Sequence, residues 1–573
     1  MLTVGDIRGW RPELLDGVFD RLRRQRDTLV SLEDELSGVR NPAGWAGDAA
    51  TAARLDHERL AEELRRLVAG VSAVLRAVGE ASDAARAVTR ALGEAQDLAR
   101  FHGFEVTGTG EVLDVHPPAP DTADYAEIQA ERVLVRAEVA DRVEQVLRRA
   151  ADLATDLAAL MAQAAAGQVD DGPRTTSLAG ASLAGHLGGG LSALGPPPGG
   201  TAADNAGWWA SLSAAERFTL VVSRPELIGN LDGIPAQARD AANRVRLPEE
   251  RAALQAEVTR LQALQRPSQM PSFEVARDLA LAHDLAVAQH KVRALDAIEA
   301  TLGKPGERQL LVLDSSGERV KAAIARGNVD TAAHVAVFTP GMTSTVQDSM
   351  VGYDDQLDLL RREAQNQAGK YGDGGQVAVV TWIGYEAPQW GETLDPSDSV
   401  AGEAAARRGA APLAGFLNGL TASRSDDPHL TALGHSYGST TTGLALQQAH
   451  GVDDVVFFGS PGIGTSEVAD LHVPAGSAYV LEASWDGVAD VGRFGTDPNQ
   501  LEGVTNLSAR EQTVDGRVLT EVTGHTNYLA EGSTSQYNLG VIVAGTPQRA
   551  IVGGNSGMGD WLRKPENWDV WGT

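Results

Sequence analysis

The chain has 573 residues, more than one ordinary hydrophobic core organises, so two or three domains are expected. A formal net charge of −28 excludes nucleic acid and anionic membranes as main partners, because both would repel it. There is no cysteine, which rules out disulfides and thiolate metal sites.

Met1-Leu-Thr-Val-Gly-Asp6 lacks the basic and apolar regions of a signal peptide, and no run of about 20 apolar residues could span a bilayer. A cytoplasmic protein is expected, or one exported by a route that reads folded or helical signals. Leu15, Val18, Leu22, Leu29, Leu32, Leu36 and Val39 recur at steps of three and four, with Gln25 in the gap, a heptad seam. Pro12 suits the first turn of this helix and Asn41-Pro42 ends it. A second seam runs from Leu60 and Leu67 through Val71, Val78 and Leu92 to Ala95, so the two helices should form an antiparallel hairpin. Residues 104–115 alternate at period two around glycines and predict a small β-hairpin. A third helix is expected over about 122–167, with Val135, Val139, Val143, Val146, Leu153 and Leu157 on one face.

Between the first two helices stands Gly44-Trp45-Ala46-Gly47. This W-x-G turn resembles the WXG-type helical hairpins of type VII secretion substrates, on the strength of Trp45 and Gly47. The resemblance implies a helical protein partner, or self-association, through residues 10–100. That family often carries Y-x-x-x-D/E after the hairpin; here Tyr125-Ala-Glu-Ile-Gln129 ends in Gln. The helical domain is expected to fill 1–169. Residues 170–206 are rich in Gly, Ala, Ser and Pro, with too few large apolar groups to offset the entropy of ordering, so a flexible linker is expected.

A helical lead-in is expected over 207–300, including a helix from Pro248 to about 266 and another over about 273–301. Strands are expected at 309–313, 319–324, 334–339, 377–382, 430–433, 454–458 and 478–482, most of them separated by helices or loops. That alternation implies an α/β fold with a mostly parallel sheet over 301–573, and an α/β-hydrolase core is the simplest such architecture that places the serine turn of the next stretch correctly. Its organising stretch is Leu430-Thr-Ala-Leu-Gly-His-Ser-Tyr-Gly438 followed by an Ala/Leu-rich helical pattern. Strand, G-x-S-x-G, helix is a nucleophile elbow: Ser436 sits at a sharp apex, and Gly434 and Gly438 lack the Cβ atoms that would collide there. The exposed Oγ then lies at a helix N-terminus, where N–H groups and the dipole favour an oxyanion.

Trp208-Trp209, Ile228-Gly-Asn-Leu-Asp-Gly-Ile-Pro235, Arg239-Asp240, Asn243, Thr381-Trp-Ile-Gly-Tyr-Glu-Ala-Pro388, the GHSYGS elbow, Gly459-Ser-Pro-Gly462 and Gly524-His525 together resemble an actinobacterial α/β-hydrolase family long catalogued as of unknown function. The resemblance covers about 205–550 and implies a serine hydrolase, an esterase or lipase-like enzyme acting on a small-molecule or lipid carboxylic ester.

In that fold the triad runs Ser, acid, His along the chain. His525, in Gly524-His-Thr-Asn-Tyr528, is the favoured base; His435 adjoins the nucleophile and should point into the sheet, and His450 and His472 sit near element ends. Asp486, at the end of Tyr479-Val-Leu-Glu-Ala-Ser-Trp-Asp486, is the favoured acid, with Asp490 the alternative. The oxyanion hole would use the Tyr437 N–H and that of Gly341 or Met342, in the loop after the third strand. Trp382, Tyr385 and Trp390 are the residues expected to line a substrate pocket. No metal motif, P-loop or dinucleotide fingerprint stands in a suitable context, so no cofactor is expected. The competing function is a secretion-associated interaction protein whose hydrolase domain serves as an inactive scaffold.

Overall fold

Pro12 opens a long helix where its missing N–H costs nothing, just after a short α1 (Val4–Arg8) capped by Thr3. The computed structural model describes residues 2–38, 45–122, 125–170, 176–191, 195–264, 275–389, 402–489, 494 and 496–553. They divide into two units, Met1–Thr219 and Leu220–Thr573.

In the first unit, α2 (Pro12–Gly38) and α3 (Asp48–Phe101) form the expected hairpin. Trp45 is 46% exposed at the turn, and Gly47 caps α3 with φ 96°, a left-handed value that suits glycine. The short strands β1 (Phe104–Val106) and β2 (Val112–Asp114) pair antiparallel, and α4 (Tyr125–Ala165) follows. Val139, Val143 and Val146 of α4 meet Val88 and Leu92 of α3 and Phe104 of the hairpin in one core. The seam of α3 starts later than its sequence suggests, because Leu60 and Leu67 stand 55% and 52% exposed.

The expected linker needs a larger correction. It contains α5 (Leu178–Gly188) and α6 (Ala202–Ala210). A Cβ at Gly185 would lie 2.1 Å from the Ala69 carbonyl oxygen, and one at Gly189 would lie 2.3 Å from the Ala73 Cα. The small residues read as too poor to fold instead let backbone approach backbone. The Oγ atoms of Ser72 and Ser182 meet at 2.9 Å across this contact. Trp208 and Trp209 lie buried in α6 of the same unit rather than in the hydrolase lead-in. The division between the units falls within helix α7 (Ala214–Ser223).

The second unit begins with α8 (Ala236–Leu264) and α9 (Val275–Leu302). Pro248, expected to start a helix, lies inside α8. The turns before it are held in place by side chains that bond to the sheet. Arg239 Nε donates to the Leu311 carbonyl at 3.0 Å and Asn243 Nδ2 to that of Leu310 at 3.0 Å. The Leu310 N–H donates to Asp240 at 2.7 Å, and Asn230 exchanges two bonds with the Leu313 backbone. The family-like residues around 228–243 thus cover an edge strand, satisfying groups that would otherwise invite pairing with another chain.

That edge is β3 (Arg308–Asp314), followed by β4 (Lys321–Arg326), β5 (His334–Thr339), α10 (Val346–Tyr371), β6 (Val377–Ile383), α11 (Ala404–Ala422), β7 (His429–His435), α12 (Tyr437–Leu446), β8 (Asp454–Phe458) and β9 (Ala478–Leu481). β10 (Thr505–Leu507) completes the sheet, and the hairpin β11 (Gln512–Val514) and β12 (Arg517–Leu519) precedes α13 (Thr534–Val543). Strand order is β10-β9-β8-β7-β5-β6-β4-β3. Strands β5 to β10 run parallel; β3 and β4 are antiparallel to their neighbours. β10 was not expected from the sequence. Alternate residues of β5 face opposite ways: Val335 and Val337 pack beneath α11 and α12, while Ala336 and Phe338 pack beneath α10 and α13. This is an α/β-hydrolase arrangement, helices on both faces of a mostly parallel sheet. Among the described residues no helix is long and apolar enough to cross a membrane.

Candidate active site

Strand β7 ends at His435 and α12 begins at Tyr437, so one residue makes the turn between them. Ser436 has φ 54° and ψ −133°, a left-handed conformation that a non-glycine residue adopts only where its surroundings impose it. The flanking glycines follow from close approach. A Cβ at Gly434 would lie 2.7 Å from the Ser439 Cα, and one at Gly438 would lie 2.3 Å from the Thr339 carbonyl oxygen.

The strained turn presents Ser436 Oγ to His525 Nε2 at 2.8 Å. His525 Nδ1 lies 2.9 Å and 3.0 Å from the two carboxylate oxygens of Asp486. The structure therefore brings together the three residues singled out in the sequence. Asp490, the alternative acid, and Trp390 lie outside the described residues.

Asp486 is 1% exposed and well supplied with donors. Tyr528 OH donates to Oδ2 at 2.6 Å, and the Val488 and Ala489 N–H groups reach Oδ1 at 3.0 and 3.2 Å. Burial alone would push this carboxyl up, but the bonds from His525 and Tyr528 outweigh it and hold it below the usual carboxylate range. A carboxylate kept ionised in this position fixes the imidazole with its proton on Nδ1 and a lone pair toward the serine.

Two supports were not recognised in the sequence. Tyr528 is one; its OH also accepts from the Ala483 N–H at 2.9 Å, tying the acid's turn to the loop of His525. The signal was present three residues after His525, but nothing along the chain links it to Asp486. Gly459 is the other, with φ 56° and a notional Cβ 3.0 Å from Asp486 Oδ2 and 3.2 Å from His525 Cε1. His435 stacks on Phe458 with centroids 5.1 Å apart, and its Nε2 lies 3.0 Å from the His525 carbonyl oxygen. Burial and the neighbouring His525 push its imidazole down to about 4, so at neutral pH it is an uncharged brace.

Gly341 lies against Ser436: a Cβ there would come 2.5 Å from its Cβ and 2.8 Å from its Oγ. Among the described residues neither the Gly341 nor the Met342 N–H is hydrogen-bonded, while Thr343, at φ 64°, donates its N–H to the Pro388 carbonyl at 2.9 Å. Tyr437 is the first residue of α12, so its N–H belongs to the positive helix end beside Ser436.

Two residues expected to line a pocket are packing groups. Trp382 and Tyr385 are 1% and 5% exposed, stacked at 6.1 Å in the core beneath α11. Trp382 belongs to β6, whose side chains on this face point into that core, and Tyr385 turns its OH to the Pro340 carbonyl at 2.8 Å.

Residues 315–496 match a family described as alpha/beta hydrolase. An uncharacterized protein of Mycobacterium tuberculosis is 34% identical over 315 residues, which are 52% of this chain and 45% of that protein. This chain thus spans less than half the length of that relative. An uncharacterized protein of Mycobacterium bovis is 34% identical over 238 residues, 40% of this chain and 87% of that protein. Among solved structures, a hyperthermophilic esterase from the archaeon Pyrobaculum calidifontis aligns with 48% of this chain and 99% of its own at 12% identity; the TM-score of 0.28 is too low to carry a functional reading.

Proposed function

From the premise that the chain belongs to an alpha/beta hydrolase family with mycobacterial members, we propose that it is a serine hydrolase of carboxylic esters, with Ser436 as nucleophile, His525 as base and Asp486 as the acid that orients it. The observation that carries this reading is the continuous path Ser436 Oγ, His525 Nε2, His525 Nδ1, Asp486, with each step at 2.8–3.0 Å.

Ser436 Oγ attacks the acyl carbonyl as its proton passes to His525 Nε2. The carbonyl oxygen becomes an oxyanion facing the Tyr437 N–H and that of Gly341 or Met342. His525 then gives the proton to the leaving alkoxide, releasing alcohol and an acyl-serine. Water, deprotonated by His525, attacks the acyl-serine, and the acid leaves as Oγ recovers the proton. Asp486 stays ionised throughout and stabilises the transient imidazolium.

The test is a panel of esters of graded acyl length, with a thioester and an amide of the same acyl group, assayed with the wild type and Ser436→Ala. Labelling by a fluorophosphonate probe is measured alongside. Turnover and labelling that both vanish in Ser436→Ala support the proposal. A wild type that neither turns over nor labels would favour the inactive-scaffold alternative, and faster cleavage of thioester or amide would correct the substrate class.

A further inference from the structure

The opposite ends of the same strands carry a second imidazole cluster that the triad does not use. The register of β5 against β7 sets His334 directly beside His429, and the rings meet edge to face at 5.4 Å. His334 Nε2 lies 2.9 Å from Asp373 Oδ1, and His429 Nε2 lies 2.8 Å from Asp454 Oδ2. An ionised carboxylate only accepts, so each Nε2 carries its hydrogen. The two Nδ1 atoms then face each other at 3.4 Å. If both rings were neutral, lone pair would oppose lone pair. A bond there requires an added proton, and the gap has room for one.

The surroundings favour that positive charge. The carbonyl of Val543, the last residue of α13, belongs to the negative end of that helix and favours positive charge on His429. Asp453 also faces His429, and Tyr479 faces Asp454. Among the described residues no Lys or Arg bridges to Asp373, Asp453 or Asp454. Nor, among the described residues, does any group of three or more His, Asp or Glu stand placed to hold a metal ion.

We infer that His334 and His429 bind one proton between them at neutral pH, an imidazole–imidazolium pair, charged on His429, that clamps the amino ends of β5, β7 and β8 to the C-terminus of α13. Burial pushes the His429 imidazole down, but its bond to Asp454, the charges of Asp454 and Asp453 and the Val543 carbonyl outweigh this and leave it raised. A raised folded-state value means the proton's contribution is fully present below the unfolded histidine value of about 6.5. It is lost as pH rises through the folded value. The clamp bears on the active side through α13, where Ser535 Oγ donates to the Tyr528 carbonyl at 2.6 Å.

The test is imidazole 15N spectroscopy of the full chain, with His429→Gln and His334→Asn used to assign the signals. The expected result is that both nitrogens of His429 show imidazolium shifts at pH 7.5, and that His334→Asn moves the His429 titration downward. A neutral His429 at pH 6.5 would overturn the inference. Denaturant unfolding gives a second readout. The wild-type folding constant for the second unit should fall by up to about tenfold per pH unit above about 6.5, and His429→Gln should flatten that slope. An unchanged slope in a folded variant would count against the clamp. If His429→Gln does not fold, the wild-type spectrum alone decides. Zn2+ added to EDTA-treated protein should leave the melting temperature unchanged. A rise in the wild type that is absent in His334→Asn would put a metal, not a proton, between the rings.

Discussion

Strand β7 begins at His429 and ends one residue before Ser436, so the two ends of one strand invite comparison. At each end a carboxylate holds one nitrogen of an imidazole: Asp486 and His525 at the carboxyl end, Asp454 and His429 at the amino end. The difference lies at the second nitrogen. His525 Nε2 meets a hydroxyl, which can donate, so the contact needs no added proton. His429 Nδ1 meets the Nδ1 of another imidazole, and that contact becomes a hydrogen bond only when a proton is held between the rings. On the assignments proposed above, one pairing stores a base and the other stores a charge. The partner's donor capacity decides which, more than the carboxylate does.

The sharpest way to break this comparison is to delete the hydroxyl. Ser436→Ala should lower ester turnover by about a millionfold, while the melting temperature stays close to wild type because the turn geometry is set by Gly434 and Gly438. Turnover within tenfold of wild type would remove Ser436 from the chemistry. Next comes the acid. Asp486→Asn favours the wrong tautomer of His525 and should cost about ten-thousand-fold in turnover. Asp454→Asn, the same change at the foot of the sheet, should leave turnover at pH 7 within about threefold and act on the pH dependence of stability instead. Equal losses in the two variants would mean that the ends are not functionally distinct.

These residues differ in how far the sequence reveals them. Ser436 is legible because the elbow's steric demand is local: two glycines flank one serine between an apolar strand and a helix. Asp486 and His525 are legible through chain order, since an α/β sheet places its loops in sequence along one edge. His334 and His429 are 95 residues apart and look like ordinary strand-starting histidines. Only the parallel register of β5 and β7 makes them neighbours, and that register depends on the whole sheet. Helix α5 is hidden for another reason: Gly185 and Gly189 lack apolar area, and the close approach to Ala69 and Ala73 that they permit exists only in the folded unit. β10 is three residues long, too short for alternation to show.

Tyr528→Phe tests the support of the acid with a smaller expected effect. Burial and the adjoining Asp486 charge push the Tyr528 phenol up, so it remains a donor at any working pH. Removing the OH takes one bond from an ionised carboxylate and leaves the Ala483 N–H without its acceptor, a cost of roughly 1–3 kcal/mol in stability. Turnover should fall by about tenfold, far less than in Asp486→Asn. The pH profile sharpens the contrast further. The Asp486 carboxyl is held below its unfolded value of about 3.9, so its contribution to stability is present above that value and is lost as pH falls through the folded one. The carboxyl end should weaken in acid and the foot in alkali. Unfolding curves of wild type, Asp486→Asn and His429→Gln from pH 3 to 9 would show whether each variant flattens its own limb.

The smallest effect is expected at Tyr385, which separates packing from substrate contact. Its ring stacks on Trp382 inside the core, and its OH holds the Pro340 carbonyl one residue before Gly341. Tyr385→Phe keeps the ring and deletes only that bond. If the OH serves to hold the oxyanion loop, the loop gains freedom and the Gly341 N–H meets the developing oxyanion less often. Transition-state binding then suffers more than ground-state binding, so kcat should drop by about three- to tenfold with KM little changed. The drop should be the same for short and long acyl chains, because the ring does not touch them. Stability should fall by about 1 kcal/mol, the ordinary worth of one buried hydrogen bond. A residue lining an acyl pocket would give the opposite pattern: KM changing with chain length while kcat on the shortest ester stays at the wild-type value. Measuring kcat and KM of Tyr385→Phe across the same ester panel distinguishes the two.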